Sequence, residues 1–300
     1  MSDEQFYLLF EHYFEQHLRQ FPVYASQLGD HRYDDQIGDL STEARQNHTT
    51  FQHQTLSKLT GEINHDELSP SAKIDLEVFG HHLKEQIWLA ENIPAFEEDP
   101  RSYNHYLSGS VYVLLTQSSL PHEENISNVI ARIRQLPEVI AEARRTLTRP
   151  PLPVLETSIN QNRGVIGFYE EEIYELVGDS PQNAELKKVA ADLLVDLRAY
   201  QEFLETDLRG RARSEWRLGK EKFDRKLQFA VNGDLTANEV LARAESEFHR
   251  VRGEMHVISR QLWGTYYRRE PIPPDDAIGR HETITPVSYT HLTLPTIVGV

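Results

Sequence analysis

The chain has no cysteine, which excludes disulfides and thiolate metal sites and fits the reducing cytoplasm. It has no apolar run of the ~18 residues that a membrane-spanning helix requires. Its start, Met1-Ser2-Asp3-Glu4, is acidic and lacks the basic-then-apolar pattern of a secretory signal. Positive charge is scarce: 31 Lys and Arg face 47 Asp and Glu, for a formal net charge of −16. Such an excess disfavours nucleic acid, whose binders gain affinity by neutralising phosphates, and disfavours an anionic membrane surface. A Gly-rich phosphate loop, strand alternation and a Gly-x-Ser-x-Gly elbow are all missing, so α/β readings have no support. The expectation is a cytoplasmic protein with neither nucleic-acid nor membrane partners.

What remains is helical periodicity over nearly the whole length. The predicted fold class is all-α and multi-helical. Phe6, Leu9, Phe10, Tyr13, Phe14 and His17 recur at helical spacing and end at Phe21-Pro22, because the residue before a proline avoids the α region. Ser41 and Ser69-Pro70 read as helix starts, the latter with proline at the first helical position. From Glu91 to Tyr106 the chain reads as a loop, followed by a short buried helix over residues 107–117. Pro137 kinks a helix or begins a new one. Pro150-Pro151-Leu152-Pro153 is the clearest break, and Ser180-Pro181 repeats the Ser-Pro start. Thr236 and Glu239 form a capping box. Behind it Leu241, Ala244, Phe248, Val251, Met255, Ile258 and Leu262 alternate three- and four-residue steps, a heptad seam. The seam suits either a coiled-coil dimer or a helix buried within its own chain. The second is expected, with Phe248 and Met255 inaccessible.

Fourteen histidines invite a search for metal ligands. A zincin helix needs His at i and i+4, with Glu after the first. His281-Glu282 supplies only the first half, since Thr285 stands at the second histidine position. His81 and His82 are adjacent and point about 100° apart on a helix, so they do not share an ion. Glu245, His249 and His256 fall on one helical face, where a metal or, more commonly, a solvated flank is the reading. Glu170, Glu171, Glu172 and Glu175 read as a solvated face, because the Glu-x-x-His of a di-metal site is absent. One segment reverses the overall charge. Residues 209–226 carry eight basic residues against three acidic ones. This island either holds an anionic group such as a substrate carboxylate, ideally by a bidentate Arg, or balances its acidic neighbours. Arg213, Arg217 and Lys220 are the candidate substrate-binding residues.

Within that island, Trp216-Arg217-Leu218-Gly219-Lys220-Glu221-Lys222-Phe223-Asp224-Arg225-Lys226-Leu227 resembles the Trp-Arg-x-Gly…Phe/Tyr…Leu segment of the bacterial family called domain of unknown function 885. Leu235-Thr236-Ala237-Asn238-Glu239-Val240-Leu241 and the long helix with Glu254-Met255 continue the likeness. Phe21-Pro22-Val23-Tyr24-Ala25-Ser26-Gln27-Leu28-Gly29 is similar to that family's Pro-x-x-Ala-(Thr/Ser)-x-x-Gly. The resemblance implies an all-helical protein about twice this length, distantly related to zinc-dependent carboxypeptidases and oligopeptidases. It implies a zinc site of the form His-Glu-x-x-Pro-Gly-His in the second half, and no segment here matches it.

Residues 1–286 are accordingly expected to be the helical N-terminal part of a larger, zincin-like peptidase domain. That part would be inactive by itself, with no cofactor and no catalytic residue. Zinc and the peptide substrate are expected of the full-length protein. From Val287 to Val300 the chain holds no Asp, Glu, Lys or Arg, although these make up 26% of the whole. Its Ser-Tyr-Thr-His-Leu-Thr-Leu-Pro-Thr string resembles translated sequencing-adapter DNA. Residues 287–300 are therefore read as a non-native tail that packs poorly. The competing reading is a non-catalytic helical scaffold or binding protein.

Overall fold

The structure, a computed structural model, describes residues 2–293, with side chains described for residues 3–287. It is all-α: among the described residues, extended pairing is confined to one isolated bridge between Pro151 and Arg213. The chain divides into two compact units, residues 1–218 and 219–300.

The first unit opens with α1 (Ser2–Gln20) and α2 (Pro22–Gln27), split at Phe21 as proline demands. The loop that follows turns at Gly38, whose φ is +96° and whose missing side chain would lie 2.6 Å from the Gln20 carbonyl oxygen. Only glycine meets both conditions. Helices α3 (Thr42–Gly61) and α4 (Pro70–Asn92) begin at the expected caps. Ser41 accepts from the Ala44 N–H and Ser69 from the Ala72 N–H. Phe6, Tyr13, Leu59, Leu68, Phe79 and Leu83 form a core among α1, α3 and α4.

Residues 91–106 are more ordered than a loop. A short α5 (Ala95–Glu98) is followed by α6 (Arg101–Thr116), which starts two turns before the expected position. Asp99 accepts from the Arg101 N–H at 3.0 Å, and the first turns bury Tyr103 and Asn104. Asn104 donates to the Ser158 carbonyl at 2.9 Å. A polar contact with a distant residue, invisible to local periodicity, extends this helix.

Helices α7 (His122–Ile133), α8 (Leu136–Thr146), α9 (Leu152–Gly167), α10 (Ile173–Val177) and α11 (Asn183–Phe203) complete the larger core with α6. Pro137 begins α8 rather than kinking its predecessor. Helix α11 starts at Asn183, because Ser180 spends its hydroxyl on the Gln182 N–H in a preceding turn. Two π-helical turns interrupt otherwise continuous helices. Phe168–Glu172 joins α9 to α10, and Leu204–Leu208 joins α11 to α12 (Arg209–Arg211). The first lets Phe168, Tyr169 and Ile173 all face inward, and the Tyr169 hydroxyl donates to the Leu107 carbonyl at 2.6 Å. Glu170, Glu171, Glu172 and Glu175 remain solvated, as expected, and Glu170 pairs with Arg198.

The second unit contains α13 (Lys220–Val231), α14 (Ala237–Tyr266) and α15 (Ala277–Thr293). The Thr236–Glu239 capping box is formed. Burial of the heptad seam is not: Phe248 is 57% exposed, Ile258 54% and Leu241 56%, and Met255 is only half-buried. Helix α15 packs instead on His256, Ser259 and Trp263. These stand one residue beyond Met255, Ile258 and Leu262, so the covered face is rotated by about 100° from the seam. Gly279 allows the start of α15 to lie against the Pro274 backbone, where a side chain would collide with its carbonyl. Val287 is buried within α15, so this helix crosses the boundary at which composition placed the tail. The rest of the expected tail lies outside the described side chains, and residues 294–300 lie outside the described structure.

Candidate functional site

The basic segment begins where the α11 helix ends. Arg211 reaches its own helix through Asp207 at 3.0 Å, donates to the Leu147 carbonyl at 3.2 Å, and lies over the Phe203 ring at 5.5 Å. The next residues run alongside the proline-rich break. The Arg213 N–H donates to the Pro150 carbonyl at 3.0 Å, and the Leu152 N–H donates to the Arg213 carbonyl at 2.8 Å. Prolines 150 and 151 carry no N–H, so this stretch is unsuited to helix and free to accept from a neighbouring chain segment. The apparent break is thus a docking edge inside the first unit.

That edge fixes the Arg213 side chain. Its guanidinium is half-buried and is shared between Glu98 and the Glu215 carbonyl, each at 2.5 Å. Arg217 is exposed, lies over the Trp216 ring at 4.7 Å and approaches Glu215 at 3.6 Å. Glu215 is held below the usual carboxylate range, chiefly by the Arg217 N–H that donates to it at 2.8 Å. Lys220 opens α13 and pairs with Asp224 one turn on. Arg213 and Arg217 therefore belong to the first unit and Lys220 to the second.

Five cations of the segment already have anionic partners: Arg211, Arg213, Arg217 and Lys220 as described, and Arg209 with Glu156 at 3.7 Å. Exposed pairs of this kind contribute about 0–1 kcal/mol and exchange partners readily. Arg217, with its fork open to solvent beside an indole face, is the member best placed to accept a carboxylate bidentately. Arg213 is better placed to hold the segment against Glu98 and the proline edge.

The metal candidates do not converge. Glu245 and His249 are exposed on α14, while His256 is buried and lies 3.2 Å from Asp275. His281 and Glu282 are exposed on α15. Among the described residues, no three His, Asp or Glu side chains are grouped to hold a metal ion. This donor set does not fit the zinc centre that the family resemblance implies.

A groove of about 790 Å³ lies between the 36–41 loop and α8, lined in part by Asp39, Arg134, Glu138, Glu142 and Arg145. Its charges are interleaved, and Glu142 accepts from Thr146 at 2.8 Å while pairing with Arg145. None of the basic-segment residues lines it.

Sequence reading missed a polar network centred on Arg132 of α7, which is fully buried. It donates to the Ser110 carbonyl at 2.5 Å and to the Ser26 hydroxyl at 2.6 Å, and stands 4.0 Å from Asp34. Burial lowers its pKa to about 10 against the opposing pull of Asp34 and Asp35. Ser26 donates to Asp34, which also pairs with His31 at 2.7 Å. Ser26 and Arg132 are 106 positions apart, and no local pattern connects them.

Residues 22–280 match the family described as "Bacterial protein of unknown function (DUF885)". The chain belongs to that family. The DUF885 span includes the Trp216–Leu227 and Leu235–Leu241 segments and all of Phe21–Gly29 except its first residue, and it contains Arg132, Arg213, Arg217 and Lys220. A solved structure from Shewanella oneidensis, described as a "putative lipoprotein of unknown function", is similar with a TM-score of 0.74 at 22% identity. The likeness covers 92% of this DUF885 chain and 51% of the other, so the chain spans about half the length of that structure. At this identity the likeness establishes the shared helical fold. No curated protein matches the chain.

Proposed function

We propose that this DUF885 chain supplies the helical shell and a carboxylate-binding surface of a zinc-dependent peptidase of the carboxypeptidase or oligopeptidase type. In this reading the metal and its ligands belong to the family-length protein, outside the residues described. The fold would be the helical half of a zincin-like domain, operating in the cytoplasm. No helix of the described residues is long and apolar enough to cross a membrane. The observation that carries the reading is Arg217, exposed over Trp216 at 4.7 Å, within the segment that resembles the family motif. An Arg fork on an aromatic platform suits the C-terminal carboxylate of a short peptide.

The family-length protein should bind about one zinc and release residues from short peptides. In it, Arg217→Ala should raise KM more than it lowers kcat, because the contact would be made equally in ground and transition states. Zinc content by mass spectrometry and steady-state kinetics on short peptides decide the matter. A metal-free, inactive family-length protein would sink the peptidase reading and favour a helical scaffold or binding protein. Chelator-sensitive peptidase activity from residues 1–286 alone would move the site into this chain.

A further inference from the structure

At the edge of the Arg132 network, three side chains stand in an order that the basic segment does not use. The Ser119 hydroxyl is 2.8 Å from His31 Nε2. The other ring nitrogen, Nδ1, is 2.7 Å from Asp34 Oδ2. The remaining Asp34 oxygen accepts from Ser26. A nucleophile, a base and an orienting carboxylate are linked in sequence, and such relays are recognised by geometry rather than by chain position.

The local sequence explains why the link forms. His31 opens and Asp34 closes a single 3-10 turn, His31–Tyr33 with Asp34 as its C-cap, and residues three apart lie on one side of such a turn. Asp30 caps that turn by accepting from the Arg32 N–H, and Arg32 clamps it to α1 through Glu15 at 2.8 and 3.0 Å. Ser119 lies on the short connection between α6 and α7. Burial is graded along the relay. Ser119 is exposed, the His31 side chain is 22% exposed, and Asp34 is 1% exposed. The hydroxyl is open to a ligand, the imidazole is partly shielded, and the carboxylate is enclosed beside the Arg132 guanidinium. With its oxygens held by Ser26 and His31 near that cation, Asp34 fixes the imidazole tautomer that leaves Nε2 free to accept from Ser119.

We propose that Ser119, His31 and Asp34 form an acyl-transfer site that hydrolyses small, sterically open carboxylic esters. Ser119 Oγ attacks the ester carbonyl carbon as its proton passes to His31 Nε2. The carbon–oxygen bond to the alcohol breaks, and that oxygen takes the proton from Nε2. Water then repeats the sequence on the acyl-serine, releasing the acid and restoring the hydroxyl. Atoms and charge balance, and no oxidant, reductant or metal enters. The exposed position of Ser119 is what directs the choice to short, accessible acyl groups.

The test uses the full chain with a fluorophosphonate probe and with p-nitrophenyl acetate. The probe should label Ser119, as located by peptide mass spectrometry. Ser119→Ala and His31→Gln should each reduce p-nitrophenyl acetate hydrolysis by about 100-fold or more, with the helical circular dichroism unchanged. Ser119 is exposed, so its variant tests chemistry without disturbing the core. Absence of the probe from Ser119, or hydrolysis unaffected by Ser119→Ala, would overturn the proposal and leave the contact as a tether for the α6–α7 connection.

Discussion

Arg132 shows how one residue ties separate helices together. From α7 it reaches the Ser110 carbonyl on α6 and Ser26 on α2, with Asp34 close by. Removing the guanidinium would leave buried acceptors and a carboxylate without their cation, which costs more than the intact pair contributes. Arg132→Met should therefore destabilise the protein by about 3–5 kcal/mol, read as a lower urea midpoint at constant m-value. His17 and His48 behave in the opposite sense. Their rings lie 5.4 Å apart among Tyr13, Phe21 and Tyr24, and His17 Nδ1 and His48 Nε2 are buried without a hydrogen-bond partner. Burial lowers both pKa values to about 4, and on His17 the neighbouring His48 and His82 add to the effect. The folded state thus prefers both rings neutral. Their contribution is fully present above pH 6.5 and is lost as pH falls from 6.5 through about 4. The loss should be on the order of 2 kcal/mol for each, once partial exposure is allowed for. Denaturation at pH 7, 5.5 and 4.5 should show it, and His48→Phe should flatten the slope. An unchanged slope in that variant would remove His48 from the account.

Helix boundaries were legible where the signal is local. Ser41, Ser69-Pro70 and Thr236 with Glu239 cap the helices they predict, because a capping hydroxyl acts on an N–H two or three residues away. The start of α6 was not, because it depends on Asn104 meeting Ser158 across the bundle. The α14 seam is the sharper case. Periodicity states that a face is apolar, not what covers it. The face that α15 covers carries His256 and Ser259, which no hydrophobic count selects, and the Trp263 indole N–H donates to the Glu270 carbonyl at 3.1 Å. The two faces should differ in energetic weight. Phe248→Ala, at a position 57% exposed, should cost less than about 1 kcal/mol. Trp263→Ala, at 6% exposed, should cost about 3–5 kcal/mol. Thermal unfolding of the two variants side by side checks this, and equal losses would mean the seam is covered after all.

At the scale of the whole molecule, composition and periodicity sufficed for an all-α chain but not for its division. The basic segment reads as one continuous feature in sequence, yet Leu218 and Gly219 lie on either side of the boundary between the units. Charge density is insensitive to such a boundary, whereas backbone pairing reveals it. The Arg213 backbone is anchored at Pro150 and Leu152, and α13 begins at Lys220. The residues between them are exposed coil. An exposed segment free of helix or bridge pairing is where a protease gains access first. Limited trypsinolysis should therefore cut earliest after Arg217, which is exposed and on that coil, while Arg213 is held by Glu98 and the proline edge. The product ending at Arg217 should resist further digestion, because both cores of the first unit lie between residues 6 and 208. Intact-mass analysis of a time course identifies the first cut, and Arg217→Gln should delay it. A first cut inside α6 to α11 would contradict the placement of the stable body. The same residue tests the binding role assigned to it: a short peptide held by Arg217 through its carboxylate should slow cleavage there, with free ammonium ions at equal ionic strength as the control.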